Sequence, residues 1–156
     1  MIHAASSTQL GIPPLPREHG AWAMLLAPPV AVAVGLGAPP GRTILLLLTL
    51  VLALFAQQAA VKALRAPSVR AAAVSWLAIE LGLLTLAALI LVAAMGLTDL
   101  LLVGAVGIGW AAIYLQMRSR RGARVDRSLG VELLSVTALT LGAPAAWVVA
   151  TGGLDE

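Results

Sequence analysis

Three ionisable side chains of different kinds, Arg17, Glu18 and His19, stand next to one another where the first long apolar segment begins. A guanidinium binds anions, a carboxylate binds cations, and an imidazole exchanges a proton near neutral pH. The free N–H groups and the dipole of a helix start add to the attraction for an anion. The simpler interpretation is a helix cap whose long side chains reach into the aqueous interface. The triplet therefore predicts either an anion-binding entrance or an ordinary helix start.

A second polar cluster closes the next apolar segment. Gln57 and Gln58 are adjacent there, and Lys62 and Arg65 follow. An unpaired amide is costly in hydrocarbon, so at least one glutamine should point into the bundle or at a ligand. A structural hydrogen bond between two helices explains the pair equally well.

Glu80 is the most informative single residue, because it lies about ten residues, or roughly 15 Å, inside a third apolar segment. An ionisable group at this depth costs about 2.5 kcal/mol or more and marks a functional position by default. The alternative is a protonated or arginine-paired acid that only fixes helix packing.

The most basic stretch precedes the last apolar segment and contributes Arg124 and Arg127, with Glu132 one turn inside that segment. His19 and Glu132 are the candidates for acid–base catalysis. The predicted ligand-binding residues are Arg17, Glu18, His19, Gln57, Gln58, Lys62, Arg65, Glu80, Arg124, Arg127 and Glu132.

The composition indicates the solvent in which these groups must be positioned. The 156 residues are 60% hydrophobic and 11% charged, with a mean hydropathy of +0.98, whereas soluble domains are nearer a quarter charged. The chain therefore belongs in a bilayer. It contains no cysteine, so disulfides and thiolate metal sites are excluded. The net charge of +3 comes from arginines between apolar segments, which points to topology and lipid headgroups and not to nucleic acid.

The apolar segments predict an all-α, polytopic transmembrane bundle. Pro28, Pro29 and Pro144 predict kinks, a turn is predicted over 38–42, and Thr98 or Asp99 is the predicted N-cap of the fourth span. A disordered tail is predicted over 1–15, the helical domain over 16–151 and a C-terminal tail over 152–156. The five predicted spans are about 20–37, 43–61, 71–96, 100–117 and 128–150.

Basic residues predict the orientation of these spans. With a cytoplasmic N-terminus, nine of the ten basic residues face the cytoplasm, and only Arg42 lies on the other side. The positive-inside rule therefore predicts a cytoplasmic N-terminus and an outer C-terminus. This orientation also gathers the predicted ligand-binding residues in the cytoplasmic half of the membrane.

The segment Pro16–Leu25 resembles the opening motif of the YwiC-like family of bacterial membrane proteins, and Arg124-x-x-Arg127 followed by Glu132 resembles a later loop and helix start of that family. The resemblance covers the whole chain, which would correspond to the first part of longer relatives. It implies a multi-pass protein of the bacterial cytoplasmic membrane. The family in turn distantly resembles the UbiA-type intramembrane prenyltransferases, helical bundles with a diphosphate site on the cytoplasmic side.

The chain departs from those prenyltransferases in its acidic residues. Their magnesium and diphosphate are held by two Asp-rich motifs, whereas no two Asp residues share an i, i+4 helix face in this sequence. No cofactor is therefore predicted, and magnesium would enter only with a diphosphate substrate. The resemblance supports a lipid cavity more than it supports a reaction.

Two functions of different classes fit these residues. In the first, the protein binds, and in one version transforms, an anionic lipid such as an isoprenoid phosphate. In the second, it is a non-catalytic assembly subunit or a small transporter. A buried Glu80 near the cavity favours the first, and Glu80 paired across a helix–helix seam favours the second. Membrane lipids are the predicted partners, and small residues predict a homo-oligomer through Gly104, Gly107 and Gly109.

Overall fold

The computed structural model describes the chain over 19–65, 67–121 and 140–154, with the backbone alone at 19–21, 65 and 118–121. All regular elements within these ranges are helical, which confirms the predicted all-α class. The predicted tail over 1–15 and much of the fifth predicted span lie outside the described residues. Three stretches are long and apolar enough to cross a membrane, Pro40–Leu64, Pro67–Ala94 and Leu100–Met117. The count of five spans and their orientation stay predictions.

A tight turn joins the first two helices, α1 (His19–Gly35) and α2 (Pro40–Arg65). Gly37 lies in this turn with a φ of 65°, a left-handed conformation that glycine adopts without strain. The predicted turn over 38–42 is wrong in its second half, because α2 already begins at Pro40. Proline suits the first position of a helix, where its missing N–H has no partner to lose.

α2 also continues past the predicted span end at 61, reaching Arg65 before Pro67 restricts the chain. A 3₁₀ turn over Pro67–Val69 leads into α3 (Arg70–Leu89), which continues as a π turn over Ile90–Ala94. Arg70 Nε donates a hydrogen bond of 3.1 Å to the carbonyl oxygen of Ala63. Because their connection is short, α2 and α3 run antiparallel, and they form the most extensive helix pair of the described chain.

α4 (Leu100–Arg121) begins where predicted and extends beyond the predicted end at 117. Asp99 precedes α4, and its carbonyl oxygen accepts a hydrogen bond of 3.1 Å from the N–H of Leu102. Its carboxylate Oδ2, however, accepts a hydrogen bond of 2.8 Å from the N–H of Leu154, far along the chain. The Asp99 side chain therefore ties down the segment after the last helix, a role that the predicted N-cap did not include.

The last described helix, α5, covers Gly142–Thr151. Thr140 is helical and Leu141 is a turn residue, so the helical structure is interrupted just before α5. Pro144 explains this position, because its ring clashes with the carbonyl group four residues earlier and it has no N–H to donate. Pro144 itself lies in the first turn of α5, where that loss matters least.

The helix ends lie on two opposite sides of the bundle. The α1–α2 turn, Asp99 and the residues after α5 lie at one side, here named the Asp99 end. The start of α1, the α2–α3 connection and the end of α4 lie at the other, here named the Lys62 end. Arg42 is near the Asp99 end, whereas the described positions of the Lys62 end include Lys62, Arg65, Arg70, Arg118, Arg120 and Arg121.

The main described core lies toward the Asp99 end and is built around α5. Gly142 lets α5 approach α1 and α2 closely, since a Cβ atom there would be 3.2 Å from both Leu50 Cδ1 and Pro29 Cγ. The buried residues of this cluster come from α2, α3, the loop that follows it, and α5: Leu46, Leu91, Leu97, Ala145, Ala146, Val148 and Val149.

Candidate functional site

The start of α1 and the last turns of α2 lie at the same level of the bundle. Trp22 contacts Phe55 edge to face, with ring centroids 5.8 Å apart and planes at 87°. His19 and Gln58 are each three residues, about 4.5 Å, from these rings toward the Lys62 end. The contact therefore brings the first residue of α1 and a glutamine of α2 to one depth.

Phe55, Gln58 and Lys62 share one face of α2, because they are spaced i, i+3 and i+7. Phe55 and Gln58 are half-buried, and Lys62 is exposed. The face thus changes over about two turns from an aromatic ring, through an amide, to an ammonium group. Since Trp22 contacts Phe55, this face is adjacent to the start of α1. We name it the Phe55–Lys62 face.

Gln57 belongs to a different stripe of α2, together with Leu54 and Val61 at the same helical spacing. Leu54 and Val61 are buried, and Val61 packs with Tyr114 of α4. Gln57 is half-buried and lies on the side of α2 that faces α4. The two adjacent glutamines therefore point in different directions.

Glu80 is 3% exposed and shares the buried face of α3 with Ala73 and Ala87, each seven residues away. This face packs on α2, where Ala56 and Ala59 are buried at 6% and 0% exposure. The Arg70–Ala63 hydrogen bond fixes the register, so ten residues further on Glu80 lies about 15 Å deep, level with Ala53. Glu80 is therefore buried in the seam between α2 and α3.

Glu80 is deeper than the glutamines, because its level at Ala53 is four residues from Gln57 and five from Gln58. Glu80 Oε2 has no hydrogen-bond partner among the described residues.

Comparison with known families gives one match. The family described as YwiC-like protein matches residues 15–147. The chain belongs to the YwiC-like family. This confirms the predicted resemblance, and with the three membrane-length helices it identifies a YwiC-like membrane protein. Comparisons with curated proteins and with solved structures give no match.

Several predicted residues of this YwiC-like protein lie outside the described structure or have only their backbone described. His19 begins α1 and Arg65 ends α2, both at the Lys62 end, and the structure gives no side-chain position for either. Five more of the predicted ligand-binding residues lie outside the described residues: Arg17, Glu18, Arg124, Arg127 and Glu132. A single site that joins them to Gln58 and Lys62 stays a prediction.

Sequence reasoning assigned no binding role to the two aromatic residues of this face. Trp22 reads as an interface anchor, and Phe55 is one apolar residue among many in its segment. The signal that was available is the spacing of Phe55, Gln58 and Lys62, which places an aromatic ring directly below an amide and a cation. Only the tertiary structure shows that this face contacts α1, through Phe55 and Trp22.

The three glycines predicted for self-association do not share one face of α4. Gly107 lies on the packed side, where a Cβ atom would be 3.9 Å from Leu141 Cδ1. Gly104 and Gly109 are exposed, and a Cβ atom at either would meet no atom within 4 Å. Self-association through Gly104, Gly107 and Gly109 stays a prediction.

The described side chains of the YwiC-like protein form no cluster of three or more His, Asp or Glu groups that could hold a metal ion. The Phe55–Lys62 face instead offers one ammonium group, one amide and the start of a helix. These groups suit an anion.

Proposed function

We propose that this YwiC-like protein binds an anionic lipid at its Lys62 end, on the cytoplasmic side of the bacterial inner membrane. The observation that supports the proposal is the Phe55–Lys62 face, which lies against the start of α1 through the contact of Trp22 with Phe55. Cation, amide and aromatic groups follow one another there from the aqueous end toward the apolar interior.

Each part of an amphiphile has a counterpart in this arrangement. The ammonium group of Lys62 neutralises an anionic head, and the amide of Gln58 donates a hydrogen bond to it. The N–H groups at the start of α1 point in the direction that favours an anion. The rings of Trp22 and Phe55 lie deeper, where they contact the first part of the apolar tail.

The predicted ligands on the remainder of the chain complete the head site. Arg17 lies two residues before α1 in the sequence, and Arg65 ends α2 one turn after Lys62. Arg124, Arg127 and Glu132 come from the segment between α4 and α5. A phosphate-bearing isoprenoid fits this set of guanidinium groups best, since planar guanidinium groups bind phosphate oxygens in pairs.

The experiment is to measure the lipids that co-purify with the protein in mild detergent, by native and lipid mass spectrometry. We expect His19→Ala, Lys62→Ala and Arg127→Ala each to reduce the bound anionic lipid several-fold. Arg42→Ala is the matched control, because it also removes one positive charge, but near the Asp99 end. Arg42→Ala should leave the bound lipid unchanged.

Equal lipid content in all four variants and the unmodified protein would rule out the site. A loss that is just as large in Arg42→Ala would show that overall charge, and not this face, retains the lipid. Thermal unfolding of each variant must accompany the measurement, so that a folding defect is recognised.

A second function is favoured by Glu80. It is buried on the face of α3 that packs on α2, about 15 Å from the Lys62 end, and its Oε2 has no partner among the described residues, which is expected of a transporter more than of a headgroup ligand. A small transporter is therefore the alternative function, and Glu80 is the residue that would carry it.

A further inference from the structure

The carboxyl of Glu80 is the least explained buried group in the described chain. It is 97% enclosed, with 3% exposure, and Oε2 has no hydrogen-bond partner among the described residues. The helix that carries it is 28 residues long when counted from Pro67 to Ala94, and it is apolar enough to cross a membrane. A charged carboxylate is disfavoured in apolar surroundings unless a cation accompanies it, so the site must accommodate a positive charge by some means.

The surrounding helices offer few groups that could share this task. At the level of Glu80, α2 contributes residues 50–56, none of which has a polar side chain. The ionisable residues of α2 lie at its ends: Arg42 at one, and Lys62 and Arg65 at the other. Arg70 is at the start of α3, about 15 Å away, and its Nε is bonded to the Ala63 carbonyl oxygen.

The kind of cation follows from this set of donors. Divalent metal ions require about six oxygen ligands, and the described side chains form no group of three or more acids or imidazoles. A single carboxyl between alanines can hold a proton, which needs one oxygen atom and almost no space.

We infer that Glu80 is an intramembrane proton-binding site in the α2–α3 seam. Binding converts the carboxylate and one proton from water into a neutral carboxylic acid, and release returns the proton to water. The small side chains of Ala56, Ala59, Ala73 and Ala87 allow the helices to close around the neutral group. The ionised form requires water, and the seam must open to admit it.

This inference is independent of the lipid-binding proposal, because it rests on the burial of Glu80 and uses none of the groups that bind the lipid head. It deepens the transporter alternative by naming the proton as the ion whose binding would be coupled to transport. The two proposals can therefore fail separately.

The test uses the full-length protein in liposomes and dicyclohexylcarbodiimide, an apolar reagent that modifies neutral carboxylic acids within the membrane. Peptide mass spectrometry locates the modification. We expect Glu80 to be modified, and the extent to fall severalfold as the pH is raised from mildly acidic to alkaline. Asp99, which is bonded to the Leu154 N–H at the surface end, is the internal comparison and should be modified far less.

An infrared titration of the same samples provides the second measurement. The carbonyl band of the Glu80 carboxylic acid, taken as the difference between the unmodified protein and Glu80→Gln, should be present at acidic pH and disappear on titration. Glu80→Gln keeps the shape of the side chain. His19→Ala should change neither result, even where it removes bound lipid. Absence of both the pH-dependent modification and the infrared band would overturn the inference, whether or not Glu80→Gln folds.

Discussion

At the residue scale, Gly142 carries the tightest packing constraint in the described chain. The position of its missing Cβ atom is 3.2 Å from Pro29 Cγ and 3.4 Å from Pro29 Cδ, and the proline ring cannot rotate away. We expect Gly142→Ala to lower the free energy of unfolding by about 1–3 kcal/mol, the usual cost of overpacking. Thermal unfolding in detergent, followed by tryptophan fluorescence, measures the change.

Gly82→Ala is the matched control for Gly142→Ala. Gly82 is in the interior of α3, where an added Cβ atom meets nothing within 4 Å. Alanine should raise helix stability there by up to about 1 kcal/mol. Equal effects of the two substitutions would contradict the view that α5 is held by its contact with Pro29.

The second prediction at the residue scale concerns Asp99. Its carboxylate Oδ2 accepts the N–H of Leu154 at 2.8 Å and so holds the segment after α5. Asp99→Ala should speed hydrogen exchange at residues 152–154 and cost about 1 kcal/mol, whereas Asp99→Asn, which retains an acceptor oxygen, should preserve most of the protection. Unchanged exchange in Asp99→Ala would mean that the hydrogen bond does not hold this segment.

At the scale of the elements, α2 packs in two different ways on its two sides. Leu46, Leu54 and Val61 face α4 and α5, whereas the side toward α3 is lined by Ala56 and Ala59. Small residues let two helices approach closely, so α2 and α3 form the tighter pair. The same closeness encloses Glu80 and explains how an acid can be buried without a described partner.

The seam between α2 and α3 gives the third prediction. Ala59 is 0% exposed, so Ala59→Leu should separate the helices and destabilise the fold by about 1–3 kcal/mol. Ala53→Leu, two turns earlier on the exposed surface of α2, is the control and should change stability little. The proton inference adds that Ala59→Leu increases water access to Glu80, which can be read from the pH dependence of its carbodiimide modification.

The elements also show where sequence reasoning succeeds. Long aliphatic runs predicted α2, α3 and α4, because only a helix satisfies its backbone groups in an apolar solvent. The boundaries were less predictable: the segment from Pro40 to Arg42 looked like a turn, although proline and glycine are both acceptable in a first helical turn. The sequence predicted a kink at Pro144, but only the structure places the break at Leu141, directly after the helical residue Thr140.

At the scale of the whole molecule, charge is distributed unequally between the two ends. Lys62, Arg65 and Arg70 lie at one end of the described bundle, and Arg42 lies near the other. The positive-inside rule assigns the Lys62 end to the cytoplasm. This assignment leads to the fourth prediction.

Single cysteines can report the orientation, since the chain contains none of its own. We expect a membrane-impermeant maleimide to label Pro39→Cys in intact cells, and to label Ser68→Cys only after the membrane is permeabilised. Both positions are exposed and next to a helix end. The reverse pattern would invert the topology and place the Phe55–Lys62 face outside the cell.

The amino-acid sequence by itself determined the class of the protein, its helical segments and the asymmetry of its charge. These properties depend on composition and on neighbours along the chain, which a bilayer converts directly into helices and ends. The tertiary structure alone decided which side of α2 each polar group occupies. Glu80 lies in the seam between α2 and α3 and Phe55 lies against Trp22, because the rotation of one helix against another is set by the fit of side chains distant in sequence, and no local pattern records that fit.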